Sequence, residues 1–144
     1  MPVKIRRMRA SDYDALVATW KSAGLPYRPK GRDSRANVER ELKDDTSLFF
    51  IAEENGKVVG AILGTQDGRK VLLNRLAVVP SHQKKGVGRM LAQAVEKEME
   101  RLGIMMACAL IDDDNESSMK FFEGMGYKRH DNIIYYSKRK SDET

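Results

Sequence analysis

Short apolar segments in which every second residue is polar recur along the chain, separated by glycine, asparagine and aspartate. This pattern predicts β-strands joined by tight turns. The strand-like segments are residues 3–8, 48–54, 57–66, 71–79, 104–111 and 127–137, the last of which forms one strand or a pair. The dipeptide Asn55-Gly56 is a strong hairpin signal between the second and third segments. Segment 104–111 is almost continuously apolar, which is typical of a strand covered on both faces.

Four other segments place apolar residues three or four positions apart, which predicts helices. They are residues 11–23, 33–43, 87–101 and 116–124. Ser11 is the predicted N-cap of the first helix, with Asp14 as its acidic partner. Residues 24–32 contain too many glycines and prolines for a regular element and are predicted to form a loop. The predicted order is β-α-α-β-β-β-α-β-α-β, which is that of an α/β domain.

Length and composition indicate how many domains the chain forms and which partners and locations are expected. A chain of 144 residues fits one domain with its own core, and residues 1–138 are predicted to form it, with 139–144 as a polar, frayed tail. The net charge is +5, but the basic residues are spread out and not interleaved with aromatics, so nucleic acid is not an expected partner. No apolar stretch has the length of a membrane span and no signal-peptide pattern is present, which predicts a cytoplasmic location away from the membrane.

The segment Gln83-Lys84-Lys85-Gly86-Val87-Gly88-Arg89 lies between a predicted strand and a predicted helix. The first turn of a helix exposes backbone N–H groups and the positive end of the helix dipole. Glycine there lets a phosphate approach the backbone, and two lysines add positive charge. The pattern therefore predicts a pyrophosphate site. Taken alone it is equally compatible with a tight turn, since it matches neither the P-loop nor the dinucleotide fingerprint.

Together with Leu76-Ala77-Val78-x-Pro80, this segment resembles the acetyl-CoA-binding signature of the GCN5-related N-acetyltransferases, the GNAT family. The residues from Asn115 through Phe121-Phe122 to Tyr127 resemble the second helical motif of that family. Both motifs stand in the order and spacing of the family, and the resemblance covers nearly the whole chain. It implies a single GNAT-like domain with a mixed sheet whose central strands splay apart to admit acetyl-CoA. It also implies direct attack of an amine on acetyl-CoA in a ternary complex.

The resemblance implies roles for individual residues. The backbone of Leu76, Ala77 and Val78 would bind the pantetheine arm, and an N–H near Val78 would polarise the thioester carbonyl. The full expected cofactor-binding set is Leu76, Ala77, Val78, Gln83, Lys84, Lys85, Gly86, Val87, Gly88, Arg89, Asn115, Ser118, Phe121 and Phe122. Asn115 is equally compatible with a helix N-cap. As bare residues, the two phenylalanines are more typical of the core. No metal is expected.

Two positions depart from the family pattern. Phe122 stands where the family often has a tyrosine that protonates the leaving thiolate, although a thiol with a pKa of about 8.5 can leave unprotonated. Leu110 stands where the branch that acetylates a ribosomal protein has a glutamate, which counts against that activity. The candidates for the general base are Asp112, Asp113, Tyr135 and Tyr136. The two aspartates are more typical of a solvated turn, and the base is left unassigned.

The expected acceptor is a primary amine of a small molecule or a protein, with residues 24–32 at the rim of its site. A homodimer is left open. A different class of function is a non-catalytic sensor that binds acetyl-CoA, which Phe122 and the unassigned base favour. The single cysteine, Cys108, lies in an apolar run and is more typical of a core residue than of a nucleophile.

Overall fold

The computed structural model describes residues 2–142 and 144. A five-stranded sheet with the strand order β1-β2-β3-β4-β5 forms its centre. The strands are β1 (Lys4–Arg7), β2 (Ser47–Glu54), β3 (Lys57–Gln66), β4 (Val71–Val78) and β5 (Ala107–Cys108). The first four strands pair antiparallel, and β5 pairs parallel to β4. The predicted mixed sheet is confirmed.

In the described part of the chain, four α-helices accompany the sheet, and each lies within a predicted helical segment. They are α1 (Tyr13–Ser22), α2 (Arg35–Leu42), α3 (Val87–Arg101) and α4 (Glu116–Gly124). The predicted cap at Ser11 is wrong, because a 3-10 turn, Ala10–Asp12, precedes α1. In that turn the Asp12 carboxylate accepts a hydrogen bond from the Arg9 backbone N–H at 2.7 Å. Within the described residues, no helix combines the length and the apolar character that crossing a bilayer requires.

The sheet separates two apolar cores. Because successive side chains along a strand point to opposite faces, Phe50 packs with the core beside α3, whereas its neighbours Phe49 and Ile51 pack with the core beside α1. Leu91 of α3 and Trp20 of α1 are fully buried, one in each core. The strands therefore carry one pair of helices on each face. Because helices cover both faces, a ligand can reach the backbone of the sheet only where a strand edge is unpaired.

Of the two strands predicted near the C-terminus, the first is present but much shorter than expected, and the second is wrong. Segment 104–111 forms only the two-residue strand β5, and segment 127–137 forms no strand within the described residues. No described strand covers the outer edge of β5, and the side chains of Met105 and Leu110 on either side of β5 in the sequence are exposed. An apolar segment indicates a preference for extended backbone. A strand also needs a neighbouring strand to pair with, and the segment's own residues do not identify that neighbour.

Candidate functional site

The strands β4 and β5 part after two residue pairs. The pairs are Val71–Ala107 and Leu72–Cys108. On its other side, β4 stays paired with β3 as far as Val78, which lies opposite Gly60. On the side of β4 away from β3, the backbone groups of residues 73–78 therefore face a gap in which the described residues provide no partner strand. Because main-chain N–H and C=O groups need hydrogen-bond partners, this edge of β4 is suited to an extended ligand.

A β-bulge lies in β4 where the two strands part. Between Asn74 and Ala77, the two residues Arg75 and Leu76 lie opposite a single residue of β3. Arg75 has a φ of 41°, in the left-handed region that non-glycine residues rarely adopt. Bulges bend a strand and increase its local twist. The bulge therefore accounts for the change of direction that separates β4 from β5, and sequence analysis did not predict it.

The start of α3 is open to an anion. Its N-cap, Gly86, has a φ of 87°, and no side chain of a described residue caps the first turn. A Cβ atom built on Gly86 would meet no atom within 4 Å, so the space in front of the first turn is free. Lys84 and Lys85 are exposed and take part in no ion pair among the described residues. Unpaired N–H groups, the helix dipole and two free lysines together favour a bound phosphate.

Two side chains of this segment hold the neighbouring elements together. The Gln83 side chain donates from Nε2 to the Val78 carbonyl oxygen at 2.9 Å and ties the turn to the end of β4. Arg89 donates from Nη2 to the Gly124 carbonyl oxygen at 3.2 Å and links α3 to the end of α4. These two bonds position the start of α3 relative to both walls of the gap.

Asn115 caps α4, because its Oδ1 accepts a hydrogen bond from the Ser118 N–H at 3.1 Å. The N-cap alternative from the sequence is confirmed. Capping uses only the oxygen of the side-chain amide, and no bond from its Nδ2 to a described residue is present. The two N–H donors on that nitrogen are available to a ligand. The oxygen of this side chain therefore caps the helix while its nitrogen stays free for a ligand.

The two phenylalanines of α4 have different surroundings. A Cβ atom built on Gly88 would lie 3.3 Å from Cε1 of Phe121 and 3.7 Å from Cδ2 of Leu76, so these residues meet where α3, α4 and β4 converge. Phe122 is only 7% exposed and packs edge-on against Tyr127, with ring centroids 5.1 Å apart. Phe121 thus lines the junction at the gap, whereas Phe122 lies in the core.

The four candidates for the general base are not brought together. Asp112 and Asp113 are exposed after β5, and Tyr135 and Tyr136 lie exposed in a segment without regular structure. The described residues contain no group of three or more His, Cys, Asp or Glu side chains arranged to hold a metal ion.

Two other titratable groups beside these elements are held in their protonated forms. Cys108 is half-buried, and this burial raises the pKa of its thiol and opposes formation of the nucleophilic thiolate. Burial and a 2.7 Å hydrogen bond donated to Glu96 raise the pKa of the Tyr127 hydroxyl. Neither group is suited to act as a base.

Arg75, which sequence analysis missed, lies against the helices of the opposite face. Its Cζ is 4.3 Å from the centroid of the Trp20 ring, and its Nη2 donates to the carbonyl oxygen of Pro26. Its Nε lies 4.0 Å from Oδ1 of Asp33. Burial lowers the pKa of the guanidinium, and the Asp33 charge opposes this effect. A charged residue inside the apolar segment 71–79 was the signal that could have identified it.

Asp33 fixes the loop between α1 and α2. It is only 4% exposed, and its Oδ2 accepts a hydrogen bond from the Arg28 N–H at 2.7 Å. Its carbonyl oxygen accepts a bond from the Tyr13 hydroxyl at 2.6 Å. The predicted loop over residues 24–32 is confirmed, and these bonds hold it beside α1 and the bulge of β4.

Comparison with known proteins identifies the family to which this chain is similar. The acetyltransferase (GNAT) family matches residues 10–127 of the chain. Acetyltransferase SG1711 of Sodalis glossinidius (strain morsitans) is 29% identical over 137 residues, which is 95% of each protein.

Two solved structures share the fold. The PaiA N-acetyltransferase of Thermoplasma acidophilum, in complex with coenzyme A, has a TM-score of 0.83 at 21% identity, covering 92% of this chain and 94% of that one. AAC(6')-Iy, in complex with the bisubstrate analogue CoA-S-monomethyl-acetylneamine, has a TM-score of 0.81 at 21% identity, covering 96% and 99%. The family match spans well over half of the sequence. The chain therefore belongs to the acetyltransferase (GNAT) family and is an acetyl-CoA-dependent N-acetyltransferase.

Proposed function

We propose that this enzyme transfers the acetyl group of acetyl-CoA to a primary amine of a small molecule or protein by direct attack in a ternary complex. The observation that carries the proposal is the parting of β4 and β5 beside the uncapped start of α3. An extended arm fits the free strand edge, and a pyrophosphate fits the free N–H groups. Coenzyme A contains both parts, joined in one molecule.

The pyrophosphate would bind to the backbone N–H groups from Lys84 to Arg89. Gly86 leaves the approach open, and Lys84 and Lys85 contribute positive charge rather than fixed geometry. Val87 and Gly88 contribute N–H groups in the first turn. Gln83 supports this site from behind, because its side-chain amide is bonded to Val78.

The pantetheine arm would bind along the gap-facing edge of β4, at Leu76, Ala77 and Val78. The Val79 N–H donates to the Val59 carbonyl oxygen on the β3 side. Since neighbouring residues of a strand direct their N–H groups to opposite sides, the Val78 N–H faces the gap. It can therefore donate to the thioester carbonyl oxygen, a contribution typically worth about 3 kcal/mol when charge develops on that oxygen.

The opposite wall would come from α4. Asn115 would donate from Nδ2 to the amides of the arm, beside Ser118, while the Phe121 ring would line the channel and Phe122 would support that ring from the core. In the transfer, a bond forms between the amine nitrogen and the acetyl carbon, and the carbon–sulfur bond breaks with its electron pair on sulfur. The amine loses its proton to solvent or to one of the four candidate bases.

The test is release of free thiol from acetyl-CoA over a panel of primary amines, with calorimetry of coenzyme A binding on the same protein. We expect binding together with amine-dependent thiol release and an N-acetylated product in the mass spectrum. Binding without release over the whole panel would instead indicate a protein that senses the cofactor.

A further inference from the structure

The loop between α1 and α2 borders the part of β4 that faces the gap. Arg75 belongs to the bulge and bonds to Pro26 of the loop while it lies over Trp20 of α1. The next residues of β4, Leu76 to Val78, are those that would hold the acyl end of the cofactor arm. An acceptor that approaches the acetyl group from the α1 side therefore passes this loop.

The loop presents positive charge with little to balance it. Arg28, Lys30 and Arg32 are all exposed, and none of them forms an ion pair with a described residue. The one carboxylate of this segment, Asp33, is buried and already accepts a bond from the Arg28 backbone. On the neighbouring helix, the exposed Asp14 is paired with Arg35. Asp112 and Asp113 are exposed after β5 and form no ion pair with the loop.

Two buried N–H groups at the base of this loop also lack a hydrogen-bond acceptor. Neither Nε of Arg75 nor Nε1 of Trp20 has a hydrogen-bond partner among the described residues. A buried donor without a partner is costly. Both atoms lie beneath the loop, whose exposed side chains Arg28, Lys30 and Arg32 supply the positive charge. We call the loop, together with Asp33, Arg75 and Trp20 beneath it, the acceptor wall.

We infer that the acceptor is a small primary amine that also carries an anionic group, a carboxylate or a phosphate, which binds to Arg28, Arg32 and Arg75. This inference rests on the proposed function, because it concerns the acceptor of that reaction. Arginine binds both oxyanions through paired N–H donors. Amines with several positive charges are repelled by the same wall.

The positive wall also favours the reactive form of the acceptor. An ammonium group near other cations has a lowered pKa, because its charged form is disfavoured. A larger share of the bound amine is then neutral and nucleophilic. This effect reduces the demand on a general base, for which the described residues offer only exposed and separated candidates.

The experiment compares four-carbon amines that differ in the end group: γ-aminobutyrate is negative, butylamine neutral and putrescine positive. We expect kcat/KM for γ-aminobutyrate to exceed that for butylamine by about tenfold or more, with putrescine below both. Phosphoethanolamine against ethanolamine gives the same comparison for a phosphate. The larger of the two ratios identifies the preferred anion.

A double variant localises the effect. Arg28→Gln with Arg32→Gln should lower the γ-aminobutyrate to butylamine ratio by about tenfold and leave the affinity for acetyl-CoA unchanged. The matched control, Arg69→Gln with Arg139→Gln, removes two exposed arginines elsewhere and should leave the ratio unchanged. If the ratio fell equally in both double variants, the cause would be net charge, and the assignment to this loop would be overturned.

The outcomes separate this inference from the proposed function. Turnover in which putrescine or butylamine equals or exceeds γ-aminobutyrate, and ethanolamine equals phosphoethanolamine, keeps the acetyltransferase reaction but overturns the anionic acceptor. An absence of turnover with every amine refutes the proposed reaction. Calorimetry on the protein with coenzyme A bound then decides the inference, which requires tighter binding of γ-aminobutyrate than of putrescine.

Discussion

The proposed cofactor site and the proposed acceptor site are built from different kinds of groups. The cofactor wall presents main-chain groups: the free edge of β4 and the uncapped first turn of α3. The acceptor wall presents side chains: Arg75 over Trp20, the buried Asp33 and the exposed cations of the loop before it.

This difference explains what a sequence reveals about each wall. A main-chain site needs only glycines at a few positions and a regular strand and helix around them, so it leaves a short pattern at fixed spacing. A side-chain site depends on residues far apart in sequence, here 20, 33 and 75, that meet only after folding. The cofactor is therefore easier to predict than the acceptor.

The strongest test of the main-chain wall is Gly86→Trp. The indole would fill the free space in front of α3, and we expect the affinity for coenzyme A to fall by about a hundredfold or more, because several N–H contacts to the pyrophosphate are lost together. Calorimetry measures the affinity. Gly103→Trp is the control, since Gly103 lies at the other end of α3 with a φ of 74° and equally free space.

Both tryptophan variants force a side chain into the left-handed region, at a cost of about 1–2 kcal/mol. Their melting temperatures should therefore fall alike. If Gly103→Trp weakened coenzyme A binding as much as Gly86→Trp, the pyrophosphate would not lie at the start of α3.

A partly buried ion pair lies at the start of α1, the helix that carries Trp20. Arg6 donates two hydrogen bonds to Asp12, at 2.8 and 2.9 Å, and lowers the pKa of that carboxyl group. We expect Asp12→Asn to lower the free energy of unfolding by about 2 kcal/mol at neutral pH. Urea unfolding measures it, with the exposed Asp14→Asn as a control that should change stability by less than about 1 kcal/mol.

The pH dependence of this difference has a defined sign. Because the pKa of Asp12 is lower in the folded protein, the carboxylate contributes its full stability above its unfolded pKa of about 3.9. The contribution is lost as the pH falls through the folded pKa. The difference in the free energy of unfolding between wild type and Asp12→Asn should therefore be constant from neutral pH to about pH 5 and decrease in stronger acid. A stability difference that increased in acid would contradict this assignment.

Arg75→Met separates the two walls directly. Methionine keeps an apolar contact with Trp20 but removes the charge and the bond to Pro26. We expect kcat/KM for the acceptor to fall by about tenfold, mainly through KM, with no change in coenzyme A affinity. Arg75→Lys should not restore it, because an ammonium group cannot stack and bond as a guanidinium does. Equal losses in cofactor and acceptor binding would mean that Arg75 supports the bulge alone.

The smallest effect is expected for Phe122→Tyr. Since Phe122 lies in the core against Tyr127, a new hydroxyl there should change kcat by no more than about threefold. Steady-state thiol release measures the rate. A rise of about a hundredfold would instead place this position beside the leaving sulfur, where an acid contributes that much. A large fall would show that the aromatic packing tolerates no hydroxyl.

The central elements were predictable because local patterns specify them. The hairpin of β2 and β3 follows from two apolar strands around Asn55-Gly56, both of which adopt positive φ in the structure. The helix α3 begins and ends where its glycines predicted. The extent of β5 could not be predicted in this way, because the pairing of a strand depends on a neighbour that its own residues do not describe.

The amino-acid sequence alone determined the order of the main elements, the glycine turn before α3 and the resemblance to the GNAT family. Each of these depends on residues that are close together in the chain. Only the tertiary structure decided that β4 bulges at Arg75 and leaves β5 after two pairs, and that Trp20, Asp33 and Arg75 form one wall. These features arise from packing between distant segments, and packing is established only when the sheet and both layers of helices come together.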